Sequence, residues 1–138
     1  MKKYVFGIDV GGTSIKCGLF QVDGTLLEKW EIPTRTEHDG DQILPDVAET
    51  VLKKISEKGI EKDEVAGVGI DVPGPVNEKG EISVAVNLNW GYKDIVGELS
   101  GAMGGIPVQA ANDANAAALG EMWGGGGRGA RNLIMVTL

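Results

Sequence analysis

The chain has 138 residues, 42% of them apolar and 24% charged, a composition typical of a soluble globular domain rather than a disordered or membrane protein. Its 20 acidic residues outnumber its 13 basic residues, and the net charge of −7 disfavours nucleic acid as a partner. The single cysteine cannot form a disulfide within the chain. The sequence has no signal-peptide pattern and no apolar run of about 18–20 residues. These features together indicate a cytoplasmic protein that binds no membrane.

The first 32 residues predict an antiparallel meander of three strands. Apolar runs at 4–9 and 15–22 are joined by a turn that contains two adjacent glycines. A second turn signal at 23–25 leads into a third run at 26–32. We therefore expect successive strands of this meander to pair with each other.

Helix and strand patterns alternate in the rest of the chain. Apolar residues recur at helical spacing from Ile43 to Ile55, and the run at 65–72 suits a strand buried on both faces. The other predicted elements are a hairpin turn at 77–82, a helix at about 93–103, a strand at 106–111, an alanine-rich helix from residue 112 and an apolar strand at 133–138. This order predicts a mixed α/β domain whose later strands run parallel to the first. Because the last strand lacks a partner, we expect the chain to be the first part of a larger protein.

The turn at 9–13, with the sequence DVGGT, is the first candidate site. Adjacent glycines let a backbone approach a ligand closely, and outward amides together with the Thr13 hydroxyl would bind a phosphate. Asp9 would be repelled by a bare phosphate, but it is well placed if Mg²⁺ lies between them, often through water. A plain β-turn explains the same residues without a ligand. Lys16 could reach a phosphate, although an exposed strand lysine is the simpler interpretation.

The sequence NDAN at 112–115 is the second candidate site. A helix N-cap, which contributes about 1 kcal/mol, accounts for one of Asn112 and Asp113 but not for both. An aspartate in the first turn of a helix is held ionised by the free amides and the helix dipole. Such a carboxylate, facing a cleft, can accept a hydroxyl proton in phosphoryl transfer, and a neighbouring asparagine can bind sugar hydroxyls.

A third group of residues follows the strand at 65–72. Gly74 lies between two prolines, which predicts a stiff backbone corner where a flat polyol could approach. Asn87 and Asn89 lie in a predicted loop beside Trp90. Amides with an aromatic wall suit a sugar, but a core position is the simpler interpretation of Trp90.

Together, four segments resemble the ROK family of sugar kinases and repressors, and within it the bacterial glucokinases. They are GIDVGGTSIKCGLF near the N-terminus, GIDVPGPV, AVNLNWGYKDI and NDANAAALGEMWGGG, and they extend over nearly the whole chain. The resemblance implies an actin-like, ribonuclease H-like nucleotide-binding fold with three meander strands, two parallel strands and helices on both faces. It also implies a cytoplasmic enzyme of glycolysis that uses ATP and Mg²⁺ to phosphorylate glucose at the 6-hydroxyl.

The resemblance also assigns roles to individual residues. Asp9, Gly11, Gly12 and Thr13 match the first phosphate-binding loop of the family. Asp113 matches the catalytic base that takes the proton from the sugar hydroxyl. Gly74, Asn87 and Asn112 match positions that contact the sugar.

Parts of the family pattern are missing from the sequence. The second phosphate loop, which is expected after 133–138, is absent, and so is the zinc motif of the second lobe. That motif contains a histidine, and His38, which lies in a polar loop, is no substitute for it. By the resemblance, residues 1–123 form the N-terminal lobe, and 124–138 form a glycine-rich hinge and the first strand of a second lobe. We expect the chain alone to be inactive, and any homo-oligomer to form through the missing lobe.

Other functions remain compatible with these residues. The parent protein could phosphorylate another hexose or an N-acetylated amino sugar, and polyphosphate could replace ATP as the donor. A sugar-responsive repressor of the same family would need a DNA-binding domain before Asp9, where only eight residues lie. A stand-alone sugar- or nucleotide-binding module is the remaining alternative.

Overall fold

The computed structural model describes residues 2–112, which form a five-stranded sheet with helices packed on it and a separate two-stranded sheet. In chain order the elements are β1 (Tyr4–Val10), β2 (Ser14–Gln21), β3 (Leu26–Pro33), the single turn α1 (Glu37–Gly40), α2 (Ile43–Glu57), β4 (Val65–Val72), β5 (Glu81–Ile82), β6 (Lys93–Asp94), α3 (Ile95–Ala102) and β7 (Val108–Asn112). Short 3₁₀ turns precede β4 and lie at Val86–Leu88.

The sheet has five strands in the order β3-β2-β1-β4-β7. β1 pairs antiparallel with β2, and β2 pairs antiparallel with β3, so the predicted meander is confirmed. β4 pairs parallel with β1, and β7 pairs parallel with β4. The two crossover connections contain α2 and α3, as parallel neighbours require.

One face of the sheet carries the main hydrophobic core. Alternation along β1 places Phe6, Ile8 and Val10 on this face, where α2 and α3 cover them. The helices contribute buried aliphatic side chains at the predicted spacing: Ile43, Leu44, Val47, Val51 and Ile55 from α2, and Ile95 and Leu99 from α3. Because each such side chain contributes roughly 1.5–3 kcal/mol when buried, packing against the sheet stabilises both helices.

The opposite face has a strip of glycine. Gly7 pairs with Gly18 on one side and with Gly69 on the other, and all three residues are buried. Without side chains, this strip lets a neighbouring element approach the sheet backbone closely. The alanine-rich helix predicted from residue 112 and the strand predicted at 133–138 extend over residues outside the described part of the chain.

The predicted helix at 93–103 is shorter in the structure, since its first two residues form β6 and pair with β5. Asp94 then caps α3, with its Oδ1 accepting a hydrogen bond of 3.0 Å from the Gly97 amide. The predicted strand at 106–111 begins later, at Val108, because Pro107 has no amide to donate to the sheet. The Pro107 carbonyl nevertheless accepts a hydrogen bond from the amide of Val68.

Candidate functional site

The candidate site lies at one edge of the sheet, where three parallel neighbours end together. Asp9 of β1 is in register with Asp71 of β4, which is in register with Ala111 of β7. The chain leaves β1 at Gly11 and β4 at Pro73, and β7 extends to Asn112, the last residue that the structure describes. Ligands of open α/β sheets bind beyond the carboxyl ends of parallel strands. Each of the three sequence candidates therefore follows a strand that ends at this edge.

The glycine turn after β1 is held by its own backbone and by the segment after β3. The Gly11 amide donates to the Ser14 carbonyl at 2.9 Å, and a Cβ on Gly11 would lie only 2.9 Å from that oxygen. Thr34 donates its hydroxyl to the Gly11 carbonyl and its amide to the Thr13 carbonyl. Gly11 thus closes the turn, whereas Gly12 and Thr13 lie exposed at its tip and can present amides to a ligand.

Asn87 lies next to this turn. It is exposed, in the 3₁₀ turn Val86–Leu88, and its Cβ and carbonyl would each be 3.9 Å from a Cβ built on Gly12. The structure therefore brings together one residue predicted for the phosphate loop and one predicted for the sugar.

The neighbours of Asn87 have structural roles. The side chain of Trp90 is 2% exposed, and its indole N–H donates to the Gly40 carbonyl at 3.0 Å, which confirms the core interpretation of this tryptophan. Asn89 has a φ of 61°, and its side-chain amide donates to the Thr36 carbonyl at 2.8 Å. These bonds fix the loop that carries Asn87.

The structure gives an internal reason for Gly74. A Cβ at this position would lie 2.6 Å from Cδ1 of Ile82 and 3.2 Å from the Val84 carbonyl oxygen. A larger residue would therefore push the tip of the Ile82 side chain aside and crowd the Val84 carbonyl, with or without a ligand. The sugar contact of Gly74 stays a prediction.

Asp71 is a candidate that the sequence reasoning missed. It is buried, with 8% of its surface exposed, and it lies beside Asp9 on the same face of the sheet. Lys16 is in register with Asp9 on the other side and places a positive charge in the same row. The signal was present in the sequence, because GIDV occurs at both 7–10 and 69–72, and the first three residues of the two copies pair in register.

The carboxylates at the ends of β1 and β4 fit a magnesium ion. Mg²⁺ is usually bound in proteins through one or two carboxylates, with water and phosphate oxygens completing its shell. Asp9 and Asp71 supply two such groups next to the glycine turn. Within residues 2–112, no group of three or more His, Cys, Asp or Glu residues could hold a metal. Binding at this edge would therefore depend on phosphate and water.

The sequence contains two other reactive side chains, Cys17 and His38. Cys17 is fully buried, and burial raises the pKa of its thiol to about 12, so the thiol stays protonated at neutral pH and is not a nucleophile. His38 is exposed in α1. In the part of the chain that the structure describes, no helix is long and apolar enough to cross a membrane.

The remaining two candidates lie at the limit of the described residues. Asn112 ends β7 and is in register with Val72. Asp113, the predicted base, follows it and lies outside the described residues. Its role stays a prediction that follows from the resemblance.

Comparisons with known proteins agree with the resemblance. The model of the ROK family matches residues 5–138. A glucokinase of Halalkalibacterium halodurans is 39% identical over 99% of this chain, which covers 41% of that relative, so the chain spans about two fifths of its length.

Two solved structures are also similar to the chain. The ROK hexokinase of Thermus thermophilus has a TM-score of 0.68 and is 35% identical, and the match covers 86% of this chain and 38% of the hexokinase chain. The ROK glucokinase of Streptomyces griseus, in complex with glucose and AMPPNP, has a TM-score of 0.64 at 28% identity, over 90% of this chain and 38% of its own.

Proposed function

The chain belongs to the ROK family and has its actin-like, ribonuclease H-like fold, and from this membership we propose that it is the N-terminal lobe of an ATP-dependent glucokinase. Residues 124–138 would form a glycine-rich hinge and the first strand of a second lobe. The chain covers 41% of the length of a similar glucokinase, which leaves room for such a lobe in a longer protein. The reaction would transfer the γ-phosphoryl group of ATP to the 6-hydroxyl of glucose.

The observation that carries this proposal is the common edge of β1, β4 and β7. A phosphoryl transfer needs the nucleotide phosphates, the sugar and the base within one cleft, since catalysis depends mainly on positioning and charge stabilisation. The glycine turn proposed for the phosphates follows β1, the corner at Gly74 proposed for the sugar follows β4, and the predicted base Asp113 follows β7 in the sequence. The parallel register of these strands brings their carboxyl ends to one edge of the sheet, which supports a common cleft.

The glycine turn would bind the phosphates of ATP. Gly12 and Thr13 are exposed at its tip, and the Thr13 hydroxyl adds a donor to the amides. Asp9, with Asp71 beside it, would hold Mg²⁺ through water, and the ion when bound would offset negative charge on the phosphates. Gly11 would shape the turn.

Asp113 would act as the general base. Its carboxylate would orient the 6-hydroxyl and accept the proton as the hydroxyl oxygen bonds to the γ-phosphorus and the bond to the β-phosphate oxygen breaks. Gly74, Asn87 and Asn112 would contact the sugar. Closure of the two lobes would exclude water, which otherwise competes with the sugar as acceptor.

Another sugar is the main alternative to glucose. The similar Thermus thermophilus protein is a hexokinase of the same family. Every residue discussed above would serve another hexose or an N-acetylated amino sugar equally well. A polyphosphate donor would use the same turn.

A coupled assay tests the proposal directly. We expect the full-length protein to phosphorylate glucose with ATP and Mg²⁺ faster than fructose, mannose or N-acetylated amino sugars, and the 138-residue chain alone to show no activity because half of the cleft is missing. A preference for another sugar would overturn glucose as substrate. Robust activity of the isolated chain would contradict the two-lobe proposal.

A further inference from the structure

One segment of the chain contacts both candidate loops, and we propose that it positions them relative to each other. The segment comprises residues 34–40, which connect β3 to α2, and we call it the strap. Its first residue contacts the glycine turn, and its later residues contact the loop that carries Asn87. This inference rests on the proposed function, since it makes the strap the link between the nucleotide and sugar sites.

At its first end the strap is bound to the glycine turn by a single residue. The Thr34 hydroxyl donates to the Gly11 carbonyl at 2.8 Å, and the Thr34 amide donates to the Thr13 carbonyl at 3.0 Å. The two bonds engage the carbonyls on either side of Gly12. Thr34 therefore holds the backbone of the turn while the tip stays exposed.

At its other end the strap is bound to the Asn87 loop by two side chains. The Asn89 amide donates to the Thr36 carbonyl at 2.8 Å, and the Trp90 indole donates to the Gly40 carbonyl at 3.0 Å. The indole bond is buried, so losing it would leave the Gly40 carbonyl without that donor and away from water. The loop is thus fixed by residues immediately after Asn87.

The backbone of the strap is held in an unfavourable conformation. His38, Asp39 and Gly40 have φ values of 54°, 60° and 68°, and the first two are not glycines. A Cβ on Gly40 would overlap the Leu88 carbonyl and the Trp90 ring, so only glycine allows this approach. Left-handed residues other than glycine persist where their surroundings determine them, often at ligand sites. Here the contacts with the Asn87 loop provide those surroundings.

The strap has a functional consequence for the two loops. Gly12 and Asn87 lie next to each other, and residues close to each of them in the chain are bonded to the strap, as described above. A ligand that shifts one loop would therefore shift the other through the strap, which makes the binding of nucleotide and sugar cooperative. Thr34 and Trp90 are positioning residues in this scheme, because neither has to touch a ligand.

The test uses Thr34→Val and Trp90→Phe in the full-length protein, with sugar affinity measured by calorimetry with and without a non-hydrolysable ATP analogue. We expect the analogue to tighten glucose binding about 5-fold or more in the unmodified protein. Either substitution should bring the ratio of glucose affinities with and without the analogue close to one. Thr34→Ser, which keeps the hydroxyl, should restore the ratio of the unmodified protein. Trp30→Phe is the matched control, because it removes a 2.9 Å indole bond to Thr50 that lies outside the strap.

Hydrogen exchange of the same variants separates the strap from the proposed function. Each substitution should speed hydrogen exchange about 10-fold in the loop at the far end of the strap. For Trp90→Phe this is the Gly11 amide, and for Thr34→Val it is the Leu88 amide. The inference would be overturned if the exchange rate changed only at amides beside the substitution. It would also be overturned if the ratio of glucose affinities with and without the analogue were the same as in Trp30→Phe. If the unmodified protein binds neither ligand, the proposed function fails, and exchange alone then decides the role of the strap.

Discussion

Replacing Asp113 by asparagine in the full-length protein should lower kcat for sugar phosphorylation by about 10²–10⁴-fold, which is the usual contribution of a positioned general base. The amide has nearly the same shape as the carboxylate but cannot accept the hydroxyl proton. Glucose affinity should stay within about 3-fold of the original value, because an asparagine still forms hydrogen bonds with the sugar. Steady-state kinetics and calorimetry measure the two quantities separately.

Asp63→Asn is the matched control for this substitution. It replaces a carboxylate by an amide in the same way, but at the opposite end of β4, in the 3₁₀ turn Lys62–Glu64 that precedes the strand. We expect its kcat to be unchanged. Near-normal turnover of Asp113→Asn with unchanged sugar affinity would refute the role of Asp113 as base.

Gly12→Ala should raise the KM for ATP roughly 10-fold or more without destabilising the fold, a change equivalent to about 1.4 kcal/mol of binding. The new Cβ would be 3.9 Å from Asn87, which is ordinary van der Waals contact, and the φ of Gly12 is not positive. The methyl group would instead occupy the space through which a phosphate approaches the exposed tip of the turn. Kinetics at varied ATP, together with thermal unfolding, measure both effects.

Gly91→Ala is the control for this second prediction. Nothing lies within 4 Å of a Cβ at Gly91, so the same change should leave the KM for ATP and the melting temperature as they were. An equal KM for the two variants would exclude the turn as the phosphate site. A large loss of stability in Gly12→Ala would mean that the glycine is needed for folding rather than for the ligand.

Much of the fold could be predicted because its signals are local. Short apolar runs separated by glycine turns predicted β1, β2 and β3, and the run at 65–72 predicted the bounds of β4. The helix at 93–103 was predicted too long because Lys93 and Asp94 pair with β5, and such a contact between separate parts of the chain leaves no periodic pattern.

The candidate site was predictable only in part. Motifs and the family resemblance indicated Gly12 and Asn87, which the structure places next to each other. Asp71 was missed because one buried aspartate in an apolar strand has no pattern of its own; only the second copy of GIDV indicates its partner. Thr34 could not be predicted, since its role depends on hydrogen bonds to a turn that precedes it by a whole hairpin.

The most direct test of the proposed cleft is the distance between Asp113 and the sugar in an experimental structure of the full-length protein with glucose and a non-hydrolysable ATP analogue. We predict that the Asp113 carboxylate lies about 2.6–3.2 Å from the 6-hydroxyl oxygen, with the phosphates bound at the tip of the turn at 11–13. A carboxylate on the far side of the sheet from that turn, or packed against a helix with no space in front of it, would contradict the kinase proposal.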